Sequence, residues 1–169
     1  MNKKRITSFV LICIFSLGLI LNGCGKSNPV DYKTAEKNTS QKELTAQVSA
    51  EPDNVTKQDD GTKIVTYKNS NYGDYTGTMD YYLVEDKLMM SRWETECDDK
   101  EDMTEIYQAI CKNVSKDMGE GNADKNQQCT VWSSDKKDVT VGCNTSEDED
   151  CTVYMVENQH QTDTEQEKK

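Results

Sequence analysis

Apolar residues fall into three unlike patterns along the 169-residue chain. Positions 6–21 are an almost unbroken apolar run, interrupted only by Thr7, Ser8, Ser16 and Gly18. Over 101–118 the apolar residues Met103, Ile106, Tyr107, Ile110, Cys111, Val114 and Met118 recur at helical spacing. One such stripe with polar residues elsewhere predicts an amphipathic helix whose apolar side packs against a core. Asp98, Asp99, Glu101 and Asp102 crowd its start, where the helix dipole favours negative charge, and Gly119 and Gly121 supply a stop.

Elsewhere the period is two, which predicts strands. Residues 63–68 follow a turn signal at Asp59-Asp60-Gly61, and 69–74 are turn chemistry again. Stretches 75–84 and 87–97 flank Glu85-Asp86 as a tight hairpin. Pairing Val84 with Lys87 sets Leu83 opposite Leu88 and Tyr81 opposite Met90, leaving Tyr82, Met89 and Trp93 on the other face. Three further strands are expected over 129–134, 138–143 and 151–157. Cys129, Val131, Val139, Val141, Cys143, Cys151, Val153 and Met155 share one face there, and Trp132, Thr140, Gly142, Thr152 and Tyr154 the other. The predicted fold class is α+β: an antiparallel sheet of about five to six strands in two meanders, with one amphipathic helix packed on one face. No repeat at solenoid spacing is evident.

The N-terminal run is shorter than the roughly 20 residues a membrane-spanning helix needs. It follows a basic Asn2-Lys3-Lys4-Arg5 and ends in Leu21-Asn22-Gly23-Cys24. This combination resembles the signal peptide of bacterial lipoproteins, with its lipobox. The resemblance implies that 1–23 is removed and that Cys24 becomes the acylated first residue, carrying diacylglycerol and palmitate-like chains. The protein would then sit on the extracytoplasmic face of the membrane; two acyl chains suffice for stable anchoring. The alternatives are an uncleaved transmembrane anchor, or an ordinary secretory signal with Cys24 free. Residues 24–58 are polar and carry both prolines, Pro29 and Pro52, so they read as a flexible tether spanning roughly 30–35 Å, with a faint helical period over 41–48. The domain is expected over 59–157, and 158–169, with the single histidine His160, as a disordered tail. The hairpin Tyr81-Tyr82-Leu83-Val84-Glu85-Asp86-Lys87-Leu88, the helix after it and Trp132 resemble small lipoproteins of uncharacterised function in low-GC bacteria. That resemblance implies no catalytic residues.

Charge narrows the partners. Twenty basic against 31 acidic residues give a formal −11, which argues against the basic face that nucleic-acid binding requires. Removing 1–23 deletes Lys3, Lys4 and Arg5 and no acids, so the mature chain carries 17 bases against 31 acids, a formal −14. Both phenylalanines, Phe9 and Phe15, leave with it, so Trp and Tyr must supply the aromatic burial.

Five cysteines remain as candidates for disulfides: Cys97, Cys111, Cys129, Cys143 and Cys151. Export permits bridges, and the odd number leaves at least one thiol unpaired or shared with another chain. If Ser133 pairs with Val139, Cys129 falls opposite Cys143; if the last hairpin is symmetric about 144–150, Cys143 falls opposite Cys151. These exclude each other. Cys111 could reach a cysteine on the sheet, whereas Cys97 and Cys111 lie too far apart along the helix. One or two bridges are expected, with partners open. A zinc site lacks its usual Cys-x-x-Cys spacing, and no cofactor is expected beyond the lipid on Cys24.

Catalytic patterns are weak. A lone tail histidine offers no base for a nucleophilic triad, and Gly119-Glu120-Gly121 follows a helix where a phosphate loop would precede one. Asp59-Asp60, Asp98-Asp99 and Glu147-Asp148-Glu149-Asp150 read as solvated turns; the last is a weak candidate for Ca²⁺ without the ligand spacing of an EF-hand. The expected function is therefore that of a membrane-anchored, non-catalytic binding module of the cell envelope. Its partner would be an envelope protein or a cell-wall ligand, and Trp132 and Tyr154 would form the contact surface. Alternatively, those two rings pack in a second layer. The functional alternatives are an envelope glycan hydrolase using paired carboxylates, or a small accessory component of a transporter.

Overall fold

The computed structural model describes residues 29–32, 35–124, 126–146 and 150–160. Residues 1–23, expected to be a signal peptide, Cys24, Glu147 to Glu149 of the acidic run and the tail beyond 160 lie outside the described residues.

Two meanders build the sheet. In the first, β3 (Lys63–Tyr72), β4 (Tyr75–Val84) and β5 (Lys87–Cys97) pair in succession, and β2 (Asn54–Lys57) pairs antiparallel with β3. In the second, β6 (Asn122–Asp124), β7 (Cys129–Ser133), β8 (Lys137–Thr145) and β9 (Cys151–Gln159) do the same. Between them runs α2 (Lys100–Met118), and β9 returns to lie antiparallel against β5. A two-residue strand, β1 (Val30–Asp31), adds parallel to β3. The chain is thus α+β, with two helices and one open, mostly antiparallel sheet of nine strands among the described residues, not five to six. The extra strands β1, β2 and β6 are two to four residues long, and β2 is exposed throughout, so no alternation announces them.

The segment expected to be a tether belongs to the fold from residue 30 onward. It contains β1, β2 and α1 (Gln41–Val48), and it buries Ala35, Leu44 and Val48 in the same cluster as the sheet residues. Ser40 caps α1: its hydroxyl accepts from the Glu43 N–H while the Glu43 carboxylate accepts from the Ser40 N–H at 2.8 Å, a capping box. The preceding loop is stitched to β5 by Asn38 N–H to Leu88 O and Leu88 N–H to Thr39 O. Each helix is followed by four strands in antiparallel succession, so the same element order occurs twice. The two units meet along the β5–β9 seam.

Both helices cover one face of the sheet. Met103, Ile106, Ile110 and Val114 of α2 are buried, as its stripe predicts. They join Val65, Tyr67, Met79, Tyr81, Leu83, Trp93, Val139, Val141, Val153 and Met155 in one contiguous core. Asp99 caps α2, accepting from the Glu101 and Asp102 N–H groups at 2.8 and 2.9 Å. Gly119 ends it at φ +82°, a conformation that glycine adopts without a Cβ penalty.

Two pairings differ by one residue from those expected, and each difference turns a tryptophan around. Glu85 and Asp86, both at positive φ, make the expected two-residue turn, with Val84 opposite Lys87 and Leu83 opposite Leu88. A bulge then shifts the register, so Tyr82 faces Met90, Tyr81 faces Ser91 and Met79 faces Trp93. Trp93 therefore joins the core at 0% exposure, its Nε1–H donating to Ser70 O at 2.9 Å. In the β7–β8 hairpin, Ser133 pairs with Asp138 and not with Val139. The intervening loop is closed by Ser134 N–H to Lys137 O, and this slip moves Trp132 opposite Val139, onto the helix side.

Candidate functional site

The face away from the two helices, open among the described residues, carries a largely polar row across the sheet. Thr66, Asp80, Arg92, Val156, Thr140 and Val131 are successive register partners from β3 to β7. One rung away run Thr78, Glu94, Tyr154, Gly142 and Cys129. At the centre, Arg92 forms an ion pair with Glu94, and its guanidinium lies 5.2 Å from the centre of the Tyr154 ring, within cation–π range. The ring lies across β8 because Gly142 has no side chain: a Cβ there would stand 2.4 Å from the Tyr154 hydroxyl oxygen. Asp80 accepts from the Thr66 hydroxyl at 2.6 Å. Burial pushes the Asp80 carboxyl above its ordinary value, outweighing the Thr66 hydrogen bond and the nearby Arg92 charge. A charge held where burial opposes it is a common mark of a functional site.

The structure separates the two expected contact residues. Trp132 is 2% exposed and its Nε1–H donates to Gly119 O at 3.1 Å, so it is core, not surface. Gly121 makes room for it, since a Cβ there would lie 2.5 Å from the indole. Tyr154 stands on the open face beside Arg92. The acidic turns have local structural work: Asp60 accepts from the Thr62 N–H, and Asp99 caps α2. His160 is not frayed. Strand β9 continues through Gln159, the His160 N–H donates to Lys136 O, and its ring pairs with Asp138 at 2.9 Å. The Asp138 hydrogen bond raises the imidazole pKa.

Neither cysteine pairing weighed from sequence survives the observed registers. Cys129 faces Gly142, while Cys143 faces Val153 on β9 and donates its N–H to Gln128 O. Cys151 faces Thr145 on one side and Cys97 on the other. None of the five is joined in a disulfide in the structure. Among the described residues, no group of three or more His, Cys, Asp or Glu is placed to hold a metal ion. No described helix is long and apolar enough to cross a membrane.

Sequence reasoning missed Asp80, Arg92 and Glu94. The available signal was Arg92 itself: one of two arginines in a chain with 18 lysines, set in the middle of a strand. Arginine is suited to planar, stacked contacts that lysine does not make. Compared with known proteins, the chain matches no family model, and neither a curated protein nor a solved structure shows significant similarity to it.

Proposed function

We infer that the chain is an extracytoplasmic lipoprotein, held to the membrane through Cys24, whose open sheet face is a non-catalytic binding surface for an envelope protein. The supporting observation is the Asp80–Arg92–Glu94–Tyr154 group, which lies at the middle of the uncovered face and outside the core. Two carboxylates around one guanidinium, on a chain with a strong acidic excess, suit a partner segment that presents basic residues next to an apolar one. Anchorage is tested by feeding cells a labelled fatty acid: the label should enter the chain and be lost in Cys24→Ser. The contact surface is tested by crosslinking in intact cells. A specific adduct should vanish in the Arg92→Glu, Tyr154→Ala double variant while its circular dichroism stays native. An unchanged adduct would sink this assignment of the surface.

One observation favours a second reading, the glycan hydrolase. Asp80, protonated more readily than an ordinary carboxylate, interacts electrostatically with the ion-paired Glu94, an arrangement that can separate acid and base roles. Release of soluble fragments from purified cell wall, abolished in Asp80→Asn, would establish it.

A further inference from the structure

The five thiols gather toward one end of the sheet. Cys97 and Cys151 are the last register pair of the β5–β9 ladder. Cys143 faces Val153, two residues from Cys151, and its N–H bonds Gln128, the neighbour of Cys129. Cys111 on α2 lies against Tyr107, whose hydroxyl meets Thr130 of β7 at 2.7 Å. The sheet's alternation then sorts them. Cys97, Cys151 and Cys143 share the helix-covered face with Trp93, Val153 and Val141, and Cys111 packs against that core from the helix. Cys129, in register with Gly142 and Tyr154, belongs to the opposite face.

We propose that Cys97 and Cys151 form a structural disulfide across the β5–β9 seam, with Cys129 left as an unpaired thiol; its formation rests on the extracytoplasmic reading above. Directly opposed residues of an antiparallel pair have Cα atoms about 4.5 or 5.5 Å apart, and both spacings lie inside the disulfide range of about 4.4–6.8 Å. The other sheet pairs fail that test. Cys143 is diagonal to Cys151, at a spacing of about 7–8 Å. Cys97 and Cys143 have a whole strand between them, about 9–10 Å. Cys129 and Cys143 point to opposite faces. Cys111 and Cys143, also on the covered side, have no opposed register partner among the thiols.

The bond would tie the end of β5, two residues before the Asp99 cap of α2, to the start of β9. It would thereby link the two helix-plus-four-strand units at the seam where they meet. The chemistry is exchange with an oxidant of the disulfide class. One thiolate attacks R–S–S–R and expels R–SH, and the second thiol displaces the other R–SH from the mixed disulfide. Two protons and two electrons leave the cysteines, and the oxidant becomes two thiols. Burial, with a smaller contribution from the Asp102 carboxylate, pushes Cys97 up to about 11, so exchange at neutral pH should start slowly and accelerate in mild alkali.

The test uses the full chain extracted from its host membranes in detergent, with thiols alkylated before any reduction and peptides mapped by mass spectrometry. A parallel sample is reduced and then treated with oxidised glutathione. The expected result is a Cys97–Cys151 linked peptide in both, with Cys129 alkylated. Cys97→Ser and Cys151→Ser should each lower Tm by about 10 °C under oxidising conditions and have little effect under reducing ones. Equal losses in both conditions would mean packing alone, and would overturn the bridge. So would a folded chain whose Cys97 and Cys151 stay alkylated after glutathione, or a bridge that uses Cys129. A bridge that forms with glutathione but is missing from the isolated protein would uphold the pairing and sink the extracytoplasmic reading.

Discussion

Trp93 and Tyr154 stand one rung apart on neighbouring strands, yet they face opposite ways and are held by different forces. Trp93 points under the helices, fully buried, with Tyr72 tilted against it and its indole N–H bonded to Ser70. Tyr154 points away from them, partly exposed, and is positioned by a guanidinium above it and a missing side chain on Gly142. The covered face is chosen by apolar area removed from water, so it tolerates few polar atoms. The open face is shaped by charge and close backbone approach, neither of which the fold requires. Residues of the core and residues of the proposed contact surface are therefore separated by one position along each strand.

The largest test of that separation is Trp93→Ala. Truncating a fully buried indole typically costs about 3–5 kcal/mol, and urea denaturation should find the variant largely unfolded or nearly so. Tyr154→Ala should cost under about 1 kcal/mol in the same assay. Similar values for the two would erase the distinction between the faces.

Next is Leu44→Ala in α1, which probes how far the covered face extends. Leu44 has no exposed surface, so a loss of about 2–4 kcal/mol is expected. A cost below about 0.5 kcal/mol would return α1 to the status of a tether.

Gly142→Ala acts on the open side. Its methyl would collide with the Tyr154 ring, which can swing outward, so the loss should be modest, about 1 kcal/mol. The ring would leave Arg92, and tyrosine fluorescence should change although the covered face does not.

Smallest, and opposite in sign, is Asp80→Asn. Burial raises the native carboxyl above the unfolded value, so the charged form opposes folding at pH values above the native pKa. That penalty disappears as the pH falls below 3.8, where both states are protonated. The asparagine variant should therefore melt slightly higher than the parent at pH 7, and the difference should close in acid. A lower Tm at pH 7 would mean that the Arg92 attraction outweighs burial.

Much of this architecture was legible in the chain. The stripe from Met103 to Val114 declared a one-sided helix, and Glu85-Asp86 declared a two-residue hairpin. Alternation in β8 and β9 declared which residues face the core. Three short strands were not, and α1 showed only as a faint period, because each buries too few residues to produce a strong one. Helix α1 contributes only Leu44 and Val48, and its clearest signature was Ser40 three residues before Glu43. The candidate site was the least visible part, since Asp80, Arg92 and Glu94 read locally as ordinary polar positions on strands.

By itself, then, the amino-acid order determined which segments have a helical or a strand period, where the sharp turns fall, and how acidic the protein is. Tertiary structure alone decided the register. One bulge in the β4–β5 hairpin brought Trp93 to the same side as Leu83 and Leu88, and one residue of slip in β7–β8 moved Trp132 from the expected contact face into the core. The same accounting placed Cys97 opposite Cys151 and brought Asp80, Arg92, Glu94 and Tyr154 together. The physical reason is that a strand's period is two. A single inserted residue costs little locally, yet it exchanges the inner and outer faces, and only packing against the helices selects which set of side chains is buried.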